Sequence, residues 1–218
     1  ETIFEAIADN EVLLHHPYES FAPFVEMLRQ AARDPLVVSI RQTLYRTGTG
    51  SAVVEALLEA ATAGKDVMVV IELRARFDEA ANIELATALQ AAGAQVVYGV
   101  VGHKTHAKMC MIIRREGRRL KRYVHLGTGN YHERTSRSYT DFGLFSSDQE
   151  LGQDVQKIFQ QIAALGKAGK LKALLQSPFT LHSGMLEQIE AERQKALQGQ
   201  PGLIQAKMNA LTEPKIIH

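Results

Sequence analysis

A single cysteine, Cys110, in 218 residues excludes an internal disulfide framework and cannot build a structural zinc site alone. That scarcity fits a reducing compartment, with the cytoplasm as the default. No apolar run approaches the roughly 20 residues of a membrane-spanning helix, and no basic stretch followed by an apolar one marks the N-terminus for export. Neither sign of charge is in excess: 25 Lys and Arg against 24 Asp and Glu leave a formal net charge of +1. No global field therefore commits the chain to nucleic acid or to a membrane surface, and any anion site must be local. Low-complexity tracts and convincing internal repeats are also missing. What the chain does have is 45% hydrophobic content, enough for one generous domain or one domain plus part of another. It opens at Glu1 without a methionine and closes on Thr212-Glu213-Pro214, which has the form of a helix beginning. It reads as a piece cut from a longer protein.

Apolar spacing predicts a helix over 20–34, a strand over 36–45, a helix over 51–63, a strand over 66–73, a helix over 78–92 and a strand over 95–101. Strands alternating with helices imply a parallel sheet covered on both faces. The spacing then changes. A hairpin turning at Glu116-Gly117 and a strand over 138–145 add an antiparallel portion, and Ser147-Asp148-Gln149-Glu150 caps a helix ending near Gly166. The expected fold class is α/β, with a mixed, largely parallel sheet flanked by helices. One domain spans 1–172. Over 173–218 a linker, a charged helix at 185–197 and a strand at 203–211 look like the start of a second unit.

The strongest chemical signal is His106-Ala107-Lys108 at the start of an apolar strand. Residues two apart on a strand face the same way, so imidazole and ammonium share one side. A nucleophilic histidine beside a cation that holds a transferring phosphate is a workable phosphoryl-transfer pair, although His-x-Lys is common by chance. Arg46 and Arg76 each follow a core strand, at the carboxyl edge where open α/β sheets bind ligands. Two guanidiniums there suit a multiply charged phosphate; the plainer reading pairs each with an acid such as Glu72 or Asp78. Gly127-Thr128-Gly129-Asn130 ends a strand and offers backbone N–H groups, Thr128 and Asn130 to an anion, or is an ordinary turn. Lys104, Lys108, Arg114, Arg115, Arg118, Arg119, Lys121 and Arg122, offset by Glu116 alone, make a basic hairpin. His15, His16, His103, His125 and His132 lack metal-ligand spacing with Cys110, so no zinc site is expected. Tyr139 falls in a predicted strand, where packing is its ordinary role.

The run from Ile71 to Ile83 (IELRARFDEAANI), His106-Ala-Lys108, the run from His125 to Asn130 (HLGTGN) and Tyr139-Thr-Asp141 closely resemble polyphosphate kinase of the large bacterial type. The likeness extends from about Glu11 to the end. The resemblance implies reversible transfer of the terminal phosphate of ATP to a polyphosphate chain, through a phosphohistidine that matches His106 and with Mg2+. It further implies that Arg46 and Arg76 occupy the magnesium and phosphate positions and that Tyr139 contacts the nucleotide. A guanidinium does not ligate Mg2+ directly, so Arg46 and Arg76 are taken to bind phosphate oxygens beside the ion. The implied partners are ATP, ADP and inorganic polyphosphate, with no nucleic acid, no integral membrane segment and a homo-oligomeric full-length enzyme.

The family's catalytic region is similar to phospholipase D enzymes. Residues 1–172 then form the first phospholipase-D-like catalytic domain, and 173–218 hold a linker and the start of a second. The fuller phospholipase D motif places an Asp where this chain has Ile113, a departure that weighs against phosphodiester hydrolysis. The competing readings are a phospholipase-D-like nuclease or phosphodiesterase and a non-catalytic polyanion-binding module on the basic hairpin. Because the second half is incomplete, the isolated piece is expected to be nearly inactive.

Overall fold

Two elements open the chain that its apolar spacing did not reveal: helix α1 (Ile3–Asp9) and strand β1 (Val12–His16). Thr2 and Glu5 close a capping box on α1, with Thr2 N–H donating to Glu5 Oε2 at 2.7 Å and Glu5 N–H to Thr2 Oγ1 at 3.3 Å. The computed structural model describes residues 2–45, 50–72, 79–99, 105–164 and 169–218. Within them follow α2 (Ala22–Arg33), β2 (Val37–Leu44), α3 (Ala52–Thr62), β3 (Asp66–Ile71), α4 (Glu79–Ala91) and β4 (Gln95–Tyr98), in the alternation the sequence predicts. The hairpin β5 (Lys108–Glu116) and β6 (Arg119–Gly127), the short α5 (Glu133–Ser136), β7 (Asp141–Ser146) and α6 (Gln149–Ala164) complete the first of two compact units, Glu1–Lys172. The two core strands thus end at Leu44 and Ile71. Residue 73, the expected end of the second, and 100–101 in the next lie outside the described residues.

The seven strands form one mixed sheet in the order β1-β7-β6-β5-β2-β3-β4. β2, β3 and β4 pair in parallel, while β1 with β7, β7 with β6, β6 with β5 and β5 with β2 pair antiparallel. The parallel portion is therefore three strands wide. Strands at the centre are apolar on both faces, as a sheet covered on both sides requires. Val67, Val69, Ile71, Cys110 and Ile112 join the core built with α1 to α4. Met68, Val70, Met109, Met111 and Val124 are buried with the opposite alternation, on the face where α6 packs across β5 and β6 with Leu151, Val155 and Phe159.

Several boundaries move for local reasons. The α6 cap is Asp148, whose Oδ1 accepts Leu151 N–H at 2.8 Å, one residue beyond the serine the sequence pattern favoured. β7 starts at Asp141, so Tyr139 is not in a strand; it sits in the turn after α5, where its N–H donates to Thr135 O at 3.0 Å. The second unit, Ala173–His218, contains α7 (Leu181–Leu197), which buries no residue, and α8 (Pro214–Ile217), capped by Glu213 rather than Thr212. Residues 203–211 form no strand, because Leu203, Ile204, Met208 and Leu211 are exposed there and no neighbouring strand takes their backbone groups. Among the described residues, no helix is long and apolar enough to cross a membrane.

Candidate active site

The carboxyl end of β2 lies beside the beginning of β5, with Gln42 opposite Cys110. Thr43 locks this junction: its hydroxyl accepts Met109 N–H at 2.9 Å and donates to Met109 O at 3.3 Å. That clamp fixes where β5 starts, and hence where His106-Ala107-Lys108 stands. The place is the carboxyl edge of the parallel strands, where open α/β sheets hold ligands.

The shared side expected of His106 and Lys108 becomes a direct contact. Lys108 Nζ lies 3.0 Å from each ring nitrogen of His106 and donates to His106 O at 2.7 Å. The lysine is buried, 6% exposed, whereas the imidazole is exposed. Tyr45 meets the His106 ring edge-on at 5.7 Å, and Lys108 Nζ stands 5.7 Å from the Tyr45 ring centre. Neutral imidazole carries a lone pair on one of its two ring nitrogens, to which an ammonium at this distance can donate and which a nucleophilic histidine uses. The same fixed cation is placed to attract the oxygens of a phosphoryl group arriving on the ring.

Glu72, one residue past β3, is buried, and its Oε2 accepts Thr105 N–H at 2.8 Å. It therefore holds the segment that enters the His106 motif. The sequence offered Glu72 only as a partner for a nearby arginine, and it offered Tyr45 no role; adjacency to Arg46 at a strand end was the available signal. Arg46 and Arg76 lie outside the described residues.

The 127–130 turn reaches the same edge, since Gly127 pairs with Lys108. Thr128 is held there: its hydroxyl donates to Asp141 Oδ1 at 2.8 Å and accepts Phe142 N–H at 2.9 Å. Gly129 is required, because a Cβ there would stand 2.6 Å from Asp141 Cγ. Among the described residues Asn130 Oδ1 has no hydrogen-bond partner; it is buried, and Asn130 lines a small cavity with His125, Asp141 and Gly143. Thr128 N–H also donates to Phe142 O at 3.0 Å, so both donors of Thr128 serve the turn itself, and Asn130 is the side chain left suited to an anion. Tyr139, 61% exposed, precedes Asp141 by two residues and presents its ring to solvent beside the same turn.

His125 is buried, with Nδ1 3.0 Å from Tyr131 Oη, and burial pushes its pKa down to about 3. It stays neutral at ordinary pH. Among the described residues, no group of three or more His, Cys, Asp or Glu is arranged to hold a metal ion.

A family model described as polyphosphate kinase C-terminal domain 1 matches residues 2–168, and one described as polyphosphate kinase C-terminal domain 2 matches residues 174–218. The chain belongs to the polyphosphate kinase family. It is 60% identical over 215 residues to a polyphosphate kinase of Xylella fastidiosa, covering 99% of this chain and 31% of that relative. It is 56% identical over 217 residues to that of Pseudomonas syringae pv. tomato, covering 100% of this chain and 30% of the relative. The chain thus spans about a third of the length of the curated relatives it matches. The crystal structure of polyphosphate kinase from Porphyromonas gingivalis superposes with a TM-score of 0.80 at 33% identity, over 89% of this chain and 33% of that one. Nuc from Salmonella typhimurium, a phospholipase D family member, shares the fold at a TM-score of 0.55 and 20% identity, over 74% of this chain and 98% of that one. Ile113, where the fuller phospholipase D motif has an Asp, lies by strand alternation on the opposite face of β5 from Lys108.

Proposed function

We propose that this chain carries the phosphoryl-transfer centre of a polyphosphate kinase, in which His106 takes the terminal phosphate of ATP and passes it to a polyphosphate chain, reversibly. The observation that carries the reading is the exposed His106 imidazole set against the buried Lys108 ammonium at 3.0 Å, in a chain of this family. A ring nitrogen of His106 attacks the terminal phosphorus. A P–N bond forms, the bond from that phosphorus to the bridging oxygen breaks, and ADP leaves with the electron pair. A terminal oxygen of polyphosphate then attacks the same phosphorus, the P–N bond breaks, and the polymer leaves one phosphate longer with the imidazole restored. Lys108 attracts the equatorial oxygens throughout.

Arg46 and Arg76, by their positions after β2 and β3, are assigned to phosphate oxygens, with Asn130 assisting and Tyr139 against the nucleotide base. With no carboxylate cluster among the described residues and guanidiniums at the family's magnesium positions, Mg2+ is proposed to arrive on the nucleotide's phosphates. It would supply charge neutralisation of the polyphosphate oxygens. The reaction is assigned to the cytoplasm. The remaining length of the relatives supplies whatever else the centre needs. The test is ATP-dependent polymer growth by the full-length parent enzyme: His106→Ala and Lys108→Ala should each abolish or nearly abolish it. Polymer growth unchanged in His106→Ala would overturn the reading, and phosphodiester cleavage without polymer growth would favour a phospholipase-D-type reaction.

A further inference from the structure

The β5–β6 hairpin ends at the sheet edge opposite His106. Nine residues run from Lys108 to Glu116, which at a rise of about 3.3 Å per residue sets the tip roughly 30 Å from the transfer site. Gly117, with φ of 60°, makes the turn there. Between residues 114 and 122 six Arg or Lys face one Glu, in a chain whose formal net charge is only +1.

Two of the six are committed. Arg114 Nε donates to Asp34 Oδ2 at 2.7 Å and its Nη1 to Glu116 at 3.2 Å, while Arg122 Nε donates to Gln156 Oε1 at 2.6 Å. Arg115, Arg118 and Arg119 are exposed, and Lys121 Nζ stands 5.1 Å from the Tyr123 ring centre. Among the described residues none of these four has an acidic partner. Several exposed bases elsewhere are paired, Arg33 with Glu59, Lys172 with Glu150, Arg193 with Glu190 and Lys195 with Glu192, and those without an ion pair among the described residues, such as Arg29, are not gathered in a run like that of 114–122. A solvated charged face would show the same interspersion; a cluster of one sign raises a local positive potential.

The geometry points to a second anion site, at which the hairpin tip holds a distant stretch of the polyphosphate chain whose end is worked on at His106. This rests on the function proposed above and adds an anchor that the transfer chemistry does not require. Alternation aims Arg119 and Lys121 at one face of the ribbon and Arg115 at the other, so a linear polyanion laid over the tip meets cations on both sides. Guanidinium forks match phosphate oxygens two at a time. Single-stranded nucleic acid would want aromatic platforms for its bases, and the tip offers none, Tyr123 being 1% exposed.

The four positions are neutralised together as Arg115→Gln, Arg118→Gln, Arg119→Gln and Lys121→Gln in the 218-residue chain. Binding of long-chain polyphosphate, of tripolyphosphate and of a single-stranded oligodeoxynucleotide is measured for both proteins. Tripolyphosphate is too short to bridge the two sites. Affinity for the long chain should fall at least about tenfold at low salt, while tripolyphosphate loses much less, because only the long chain can hold both sites at once. Equal loss for both phosphates, or no loss for the long chain, overturns the proposal; so does an oligodeoxynucleotide that binds the native tip as tightly as polyphosphate and loses as much. A failure here leaves phosphorylation of His106 untouched, and a failure of the transfer reading leaves long-chain binding at the tip intact.

Discussion

Glu72 Oε2 and the backbone N–H of Thr105 are joined at 2.8 Å, tying the end of β3 to the residue before His106. The carboxylate is 5% exposed, so the bond is made away from water. Replacing it with alanine removes the acceptor of a part-buried N–H, a cost of about 1 kcal/mol, and lets the His106 segment drift. In the full-length enzyme Glu72→Ala should lower kcat for polymer growth by on the order of 100-fold with little change in KM for ATP, since misplacement by about 1 Å has such effects. Glu72→Gln keeps an acceptor and should recover most of the rate. A role in fold alone would lower stability in both variants without separating kcat from KM.

His125 supplies a pH dependence. Its pKa lies near 6.5 in an unfolded chain and, through burial, at about 3 in the folded one. Below the unfolded value the unfolded state takes up a proton that the folded state refuses, so stability falls as pH drops from about 6.5 toward 3. Between pH 7.5 and pH 5 the native chain should lose about 2 kcal/mol more than His125→Phe does, read from urea unfolding at the two pH values. Identical losses in the two proteins would show that His125 is protonated in the fold.

Gly143 tests the packing behind the site. A Cβ there would stand 2.6 Å from His125 Nε2 and 3.4 Å from His16 Nε2. Both rings are buried, and His125 is also held by Tyr131. Gly143→Ala should destabilise the chain by about 1–3 kcal/mol in thermal or urea unfolding, the usual cost of overpacking. A neutral substitution would mean that both imidazoles move aside freely.

Much of this arrangement was legible in the chain. Apolar runs such as 66–71 and the turn at Glu116-Gly117 placed β3 and the hairpin, because burial and turn chemistry act locally. His106 and Lys108 were singled out because residues two apart on an extended segment face one way, and the contact holds although β5 itself begins only at Lys108. β1 was missed because its burial mixes half-buried His15, buried His16 and exposed Leu13, and its place is set by pairing with β7 some 130 residues away. The commitment of Thr128 to Asp141 and of Glu72 to Thr105 depends on which strand ends meet, which no local pattern encodes.

His106 is the proposed acceptor of the phosphate. ATP labelled at its terminal phosphate is mixed with the full-length enzyme without polyphosphate, and the modified residue is identified after digestion. The expected result is acid-labile, base-stable label on His106, lost in His106→Ala and chased into polymer when polyphosphate is added. Label of the same stability at normal yield in His106→Ala, or label that no polymer can remove, would contradict it.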